Sequence, residues 1–458
     1  MLFCVRAIRF FHPLTDLENF SLKHVGLEHL TSPVFRGAVA VVGASLFLAA
    51  AWCALLAGAS RLLSDYGVRT GNLTAAETSI RMTPGDPQAH VSRADLLSAA
   101  GADDASRRRE AVRSYRDSVS LRPLDYALWI SLGQELEDAG EADEALRALG
   151  EATRLAPFYA RPRWQLGNFL LRQGRDTEAF DQLSRAARAE PARFPNLIDL
   201  AWRFYGGDVG RVEAAVRPET DAERLRLARF YVKEGKAGEA MRLYGQLGGA
   251  VAGDEQRAML ADLLAAREFA EAYKVWSRFQ PPEAGAQETA PGQIYDGGFE
   301  REIALHEPGF GWQIGTANDP AVSVALDGGE VSEGKRSLRI DFNGASAPSA
   351  AVVSQLVLVE AGRSYRLSFA ARTKDLVTGG LPIITVSDAS APDQPPLAQS
   401  KNLLLQGSEG WQDFSVEFKI TQTTLAVSLS LHRQNCAAGG PCPAFGHVWL
   451  DGFTMKRL

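Results

Sequence analysis

The sequence predicts a multi-domain chain of mixed α and β class: a transmembrane helix near the start, an all-α array of repeated helical pairs, and a C-terminal antiparallel β-sandwich. Three observations predict it. The run from Gly37 to Ser60 carries no charge, prolines recur at 84, 123, 157 and 191 (intervals of 39, 34 and 34), and beyond Gln280 helical periodicity gives way to short alternating runs. A chain of 458 residues is too long for one hydrophobic core, so two or three domains are expected.

The apolar run, bracketed by Arg36 and Arg61, spans the roughly 30 Å hydrocarbon core as a helix with room for tilt. Arg6, Arg9, Lys23 and Arg36 precede it, whereas Arg61 and Arg69 alone follow closely. That excess places residues 1–36 in the cytoplasm, 37–60 in a bacterial-type inner membrane, and the bulk of the chain in the periplasm or outside the cell. Ala57-Gly58-Ala59 has the small-x-small form that signal peptidase accepts, but the stretch before the run is long for a signal peptide. An uncleaved single-pass anchor is the expectation. Cys53, preceded by the bulky Trp52, is not a lipidation site and is expected to face lipid or pack. The net charge of −6, with no long Lys/Arg run, argues against a nucleic-acid partner.

Residues 72–280 are rich in Ala, Leu, Arg and Glu at helical spacing, with Gly or Pro at regular intervals. The unit from Tyr126 holds Trp129, Leu132, Gly133, Leu136, Ala145, Leu149, Ala152 and Pro157. The next, from Ala160, holds Leu166, Gly167, Leu170, Ala179, Leu183, Ala186 and Pro191, with Trp164 displaced by one position. The preceding unit, from Pro87, keeps Ala94, Leu97, Gly101, Ala111, Tyr115 and Pro123, with an insertion around Asp103 to Arg108. Spacing and residues together resemble the tetratricopeptide repeat. Small residues at Gly133, Ala145, Gly167 and Ala179 let paired helices approach closely, and proline ends the second helix. After Pro191 the period blurs around Gly206 to Thr220, with further helices over Leu197–Tyr205, Asp221–Glu234, Ala237–Leu247, Asp254–Ala266 and Phe269–Arg278.

The resemblance implies a solenoid whose groove holds a protein partner, lined by the first helix of each pair. Carried onto this sequence, the lining positions are Gln88, Val91, Ser92 and Asp95; Ala127, Ile130, Ser131, Gln134 and Glu137; and Arg161, Trp164, Gln165, Asn168 and Arg172. Trp164 has two readings: an aromatic held between arginines and amides for an acidic peptide or a sugar, or a core tryptophan shifted by one position.

Residues 281–291 read as a linker, and 292–458 as the sandwich, with strands over Ser337–Phe342, Ala351–Val359, Ser364–Ala371, Pro382–Val386, Trp411–Ile420, Ala426–Leu431 and His447–Phe453. Asp296-Gly297-Gly298-Phe299-Glu300, Gly311-Trp312, Glu333-Gly334-Lys335-Arg336-Ser337, Gly362-Arg363-Ser364-Tyr365, Gly410-Trp411 and Val448-Trp449-Leu450-Asp451-Gly452-Phe453 make this part resemble carbohydrate-binding modules of families 4, 9 and 22, which are jelly rolls of the galactose-binding-like fold. The resemblance implies a polysaccharide partner and one structural calcium ion, held by Glu300 and Asp451 with carbonyls of Gly298 and Lys335. The alternative is that both carboxylates cap strand ends. His432, Arg433 and Gln434, following Ser428 and Ser430, read either as a glycan-binding cluster or as a solvated face. Trp312, Trp411 and Trp449 are expected to pack structurally.

Cys436 and Cys442 are separated by Ala437-Ala438-Gly439-Gly440-Pro441, a turn able to bring their Cα atoms within the roughly 4.4 to 6.8 Å of a disulfide. Outside the cytoplasm such a bond persists. Two free thiols, or half of a metal site with His432 and His447, are the alternatives. No Ser-centred elbow, zincin helix, phosphate loop, dinucleotide fingerprint or Cys-x-x-Cys is present, so the chain is expected not to be an enzyme. The function expected is an envelope scaffold that places a machine for polysaccharide synthesis, export or attachment. The alternatives are an assembly protein whose sandwich docks proteins, and a glycan-active enzyme without a legible signature.

Overall fold

A computed structural model describes residues 33–100, 104–248, 253–278, 291–303, 308–315, 319–401, 406–436 and 442–458. The chain divides into two compact units between Arg217 and Pro218. That boundary falls inside the irregular 206–220 region rather than at Gln280, so the last four helices belong with the sandwich. Most of the expected linker, residues 281–290, lies outside the described residues.

The first unit opens with α1 (Pro33–Thr70). Its charge-free portion is exposed, including Val39, Leu46, Phe47, Leu48, Trp52 and Leu55. The helix does not stop at Ser60. Its last turns pair with α2 (Leu73–Met82) through small hydroxyls that allow close approach: Ser60 Oγ lies 2.8 Å from Ser79 Oγ and 2.5 Å from Thr83 Oγ1, and Ser64 Oγ lies 2.6 Å from Ser79 Oγ. The array therefore begins at Ser60 with a pair that apolar periodicity had not revealed. Cys53, expected to pack or face lipid, is half-buried on this helix.

The expected units follow as α3 (Pro87–Ala100) with α4 (Ala105–Leu121), α5 (Tyr126–Asp138) with α6 (Ala142–Leu155), and α7 (Ala160–Arg172) with α8 (Asp176–Ala189). Asp104 and Asp125 cap α4 and α5 with their carboxylates. A Cβ built on Gly133 would lie 2.6 Å from Leu149 Cγ, and one on Gly167 the same distance from Leu183 Cγ, so no larger residue fits where the paired helices touch. The first three proline turns are each tied by the side chain six residues on: His90 to Pro84 O at 3.1 Å, Trp129 to Pro123 O at 2.8 Å, and Arg163 to Pro157 O at 3.1 Å. Arg163 thus takes the place Trp129 holds one repeat earlier, and Trp164 the place of Ile130. Helices α9 (Phe194–Phe204) and α10 (Val209–Val216) complete this unit, which ends at Arg217 with a left-handed φ of 49°.

The second unit begins with α11 (Asp221–Lys233), entered through a capping box of Thr220 and Glu223, then α12 (Ala237–Gly245), α13 (Gly253–Ala265) and α14 (Phe269–Ser277). Trp276 of α14 meets Tyr295 edge-on at 4.9 Å and Phe310 at 5.8 Å, while Tyr273 meets Phe310 at 4.9 Å. Aromatic contact thus joins these helices to the opening of the β domain.

That domain has two five-stranded antiparallel sheets. One orders β1 (Gln313–Ile314), β4 (Val353–Leu358), β9 (Ala426–Arg433), β6 (Pro382–Asp388) and β7 (Ala398–Gln399). The other orders β2 (Val322–Asp327), β3 (Ser337–Ala345), β10 (Pro443–Arg457), β5 (Ser364–Thr378) and β8 (Gly407–Lys419). Strands β1, β2 and β7 were not anticipated. Alternate residues of both sheets, among them Ile340, Leu367, Phe369, Val357, Ile384, Leu429 and Val448, fill one shared core. Trp312 lies in it, against Phe299 at 4.9 Å and Phe453 at 5.0 Å. The Cys436–Cys442 disulfide is formed, with Cα atoms 5.6 Å apart.

Candidate functional site

The first helices of successive pairs bring the expected groove residues side by side. Gln134 Nε2 donates to Gln165 Oε1 at 3.2 Å, and Arg172 grips Glu137 with two parallel bonds of 2.5 and 2.6 Å. That fork holds the Arg172 guanidinium above its ordinary pKa despite partial burial. Trp164 is half-buried under the Arg193 guanidinium, 5.4 Å from its ring centroid. Asn168 is half-buried and Arg161 exposed, at the start of α7. Ser92 and Ile130, carried over as lining positions, are buried.

Beside this row lies a polar network that draws in Asp95, one of the expected lining positions. Tyr115 donates to Asp95 at 2.5 Å, and Ser98 donates to Glu135 Oε2. Glu135 is buried, and its Oε1 has no hydrogen-bond partner. Burial pushes the Glu135 carboxyl above its ordinary 4.5, with Asp138 and Asp95 adding to the rise and the Ser98 bond opposing it. The native fold thus favours the protonated acid. Its contribution is fully present below pH 4.5 and is lost as pH rises through the raised value. Glu135→Gln, which removes the charge and keeps an acceptor for Ser98, should therefore stabilise the array at pH 7 by about 1 kcal/mol. The gain should shrink toward zero near pH 4. Thermal melts of the two proteins across that range check it, and a gain independent of pH would contradict the assignment to Glu135.

In the sandwich, Asp296-Gly297-Gly298-Phe299-Glu300 forms the turn that closes onto β10. Gly297 O accepts from Phe453 N at 2.8 Å, and a Cβ on Gly297 would lie 2.0 Å from Phe453 O, which leaves room for glycine alone. Glu300 Oε1 accepts the N–H groups of Lys335 (2.6 Å) and Arg336 (3.3 Å), and Asp451 Oδ2 accepts those of Ser332 (2.9 Å) and Glu333 (3.1 Å). Glu300 and Asp451 do flank Gly298, at 3.9 and 4.0 Å from its built Cβ. Lys335, however, turns its N–H rather than its carbonyl to Glu300. Two main-chain donors on each carboxylate hold the 332–336 loop, as strand-end caps would, and Glu300 Oε2 stays outside those bonds. Those bonds keep Glu300 below the usual carboxylate range. No group of three or more His, Cys, Asp or Glu side chains gathers for a metal among the described residues.

The glycan trio is split. His432 does share the outer face of β9 with Ser428 and Ser430, and partial burial lowers its pKa, favouring the neutral imidazole. Arg433 is the correction: it is 2% exposed and points inward. Strand alternation through Val427, Leu429 and Leu431 puts it there. Its guanidinium donates to Thr378 Oγ1 (3.1 Å), Ser346 O (2.8 Å) and Ser346 Oγ (2.8 Å), and stacks over Phe342 at 5.6 Å. Gln434 has left the strand and pairs its main chain with Leu381 O at 3.0 Å.

A further polar surface was missed on the other sheet. Trp449, in the centre of β10, carries Arg339 and Arg372 at 5.6 and 5.8 Å from its ring and donates to Asp327 Oδ2 at 2.8 Å. Arg372 pairs with Glu330 at 3.0 Å, and Asp341 takes both Arg339 (2.7 Å) and His447 (2.5 Å). Parity carried the signal: Val448 and Leu450 point into the core, so His447 and Trp449 take the other face, where Trp449 is 3% exposed and packs structurally as expected.

Against known proteins, no family model and no curated sequence matches the chain. Its likeness is to solved structures of tetratricopeptide-repeat proteins and carbohydrate-binding modules. A crystal structure of MamA is 14% identical, covering 45% of this chain and 97% of its own, with a TM-score of 0.27. YrrB, described as a TPR protein with an unusual peptide-binding site, is 14% identical over 41% of this chain and 88% of its own, with a TM-score of 0.29. A CBM4 structure is 13% identical over 36% of this chain and 99% of its own, with a TM-score of 0.27. At such scores the likeness carries no function with it.

Proposed function

We propose that the chain is a membrane-anchored, non-enzymatic scaffold of the cell envelope. Its helical array captures a protein partner, and its sandwich, as a jelly-roll module, contacts a polysaccharide, in the service of polysaccharide synthesis, export or attachment. The observation that carries the reading is α1. Its charge-free half exposes a continuous apolar surface, which water does not tolerate at this length and lipid does. Retention of the anchor is supported by Ser60. Cleavage after Ala59 would place a charged amino terminus where Ser60 is fully buried among Ser79 and Thr83. The charge asymmetry around the span supports a cytoplasmic N-terminus.

Carbonate extraction and intact-mass analysis of the native membrane fraction test the anchor. A full-length mass in the extracted pellet is expected, and a soluble chain beginning at Ser60 would end the proposal. Affinity capture tests the scaffold: Arg172→Ala and Trp164→Ala should each weaken partner recovery, while the melting temperature stays within a few degrees. For the sandwich, His432→Ala is the glycan-array probe, because its side chain leaves the core. Partner capture without any sugar would leave an assembly protein. Calcium is read from the same preparation: a melting temperature raised by calcium and lowered by chelator marks an ion at Glu300 and Asp451, and an unchanged one leaves both as caps.

A further inference from the structure

The proline turns at 84, 123 and 157 are equivalent positions, tied by the same bond to the side chain six residues on. They also share a main-chain turn bond: Asp86 N to Thr83 O, Asp125 N to Arg122 O and Tyr159 N to Ala156 O, at 3.0 to 3.2 Å. The first of these turns touches α1 where the charge-free run ends. Thr83 Oγ1 meets Ser60 Oγ at 2.5 Å, and Asp86 pairs with Arg61 at 3.8 Å. A membrane that holds residues 37–60 therefore has its surface at the level of this turn. The next two turns, on the same edge of the helical pairs, carry Leu124 (80% exposed), Phe158 (88%) and Tyr159 (59%). Tyr159 lies 5.5 Å from Tyr126, so the side chains of the two turns meet. Exposed Arg122 and Arg161 flank them, and Arg61 is 69% exposed.

From this we infer that the edge of the array formed by the 123–126 and 157–161 turns rests on the surface of the bilayer that α1 crosses. Leu124, Phe158 and Tyr159 enter the interfacial zone, and Arg122 and Arg161 face anionic headgroups. Apolar and aromatic side chains fit that zone, and juxtamembrane arginines gain from anionic lipid. A solenoid edge in bulk water has no use for a phenylalanine 88% exposed. The inference rests on α1 being a membrane span, and the test separates the two.

The full-length chain is reconstituted in nanodiscs containing phosphatidylglycerol, with an environment-sensitive dansyl amino acid in place of Leu48, Leu124, Phe158 or, on the opposite edge, exposed Gln173. Nitroxide-bearing lipids serve as quenchers. Position 48 should be quenched by a deep nitroxide; positions 124 and 158 should emit to the blue and be quenched severalfold more than 173 by a shallow one. If position 48 is quenched while 124 and 158 behave as 173 does, the docked edge is wrong and the span stands. If position 48 is not quenched, the span itself fails and the docked edge with it.

Discussion

Replacing Arg433 with alanine is expected to destabilise the sandwich by about 3 kcal/mol, the largest single effect at any residue singled out for binding. The guanidinium is buried, and its loss removes its hydrogen bonds to Thr378 Oγ1, Ser346 O and Ser346 Oγ, removes the stack on Phe342 and opens a cavity between the sheets. Hydrogen bonds to a charged group contribute about 1.5–3 kcal/mol. Urea unfolding followed by near-UV circular dichroism measures the effect. His432→Ala, one residue away on the outer face, should cost less than about 0.5 kcal/mol. Equal effects at the two positions would contradict the inward placement of Arg433. A loss of sugar binding in Arg433→Ala would accordingly report unfolding rather than a lost contact.

The second expectation concerns glycines within the repeats. Alanine at Gly133 or Gly167 would drive a methyl group to 2.6 Å from Leu149 Cγ or Leu183 Cγ, and overpacking of this kind costs about 1–3 kcal/mol. The better helix propensity of alanine returns about 1 kcal/mol, so the clash wins. The double variant should lose roughly 2 kcal/mol, or several degrees in melting temperature. Gly150→Ala, in α6 where a Cβ meets nothing within 4 Å, lacks the clash and should be neutral or stabilising. The sign difference is the test. Stabilisation at all three positions would mean that the paired helices are not held at this spacing.

Much of the fold was legible because the governing residues were of kinds that periodicity detects. The prolines at 84, 123 and 157 marked the turns, and Gly133 and Gly167 marked the crossings. Alternating residues of β5, Tyr365, Leu367 and Phe369, marked an inward face and are all buried. The pair made by the end of α1 and α2 escaped because serines, not aliphatic residues, hold it; Ser60, Ser64 and Ser79 leave no apolar stripe. Arg433 was misplaced for a different reason. Its charge argued for solvent, whereas parity with Val427, Leu429 and Leu431 argued for the core, and a set of buried acceptors let parity prevail. The clamp of Trp449 by Arg339 and Arg372 joins three strands distant in sequence, and only the pairing register brings them together.

The unbroken course of α1 from the apolar run into the first helical pair bears on how far this protein can reach. A tether of flexible residues lets a domain search a volume whose radius grows as the square root of tether length. A helix permits no such search. With the Ser60–Ser79 contact in place, the first repeats have neither free rotation nor free height relative to the apolar run of α1. On the proposed span, a partner captured by the neighbouring repeats would be met at a set altitude and a set bearing, as by a mast stepped into a deck. Inserting a glycine-rich spacer after Arg61 would convert the mast into a rope, with the same surfaces on offer at no particular place.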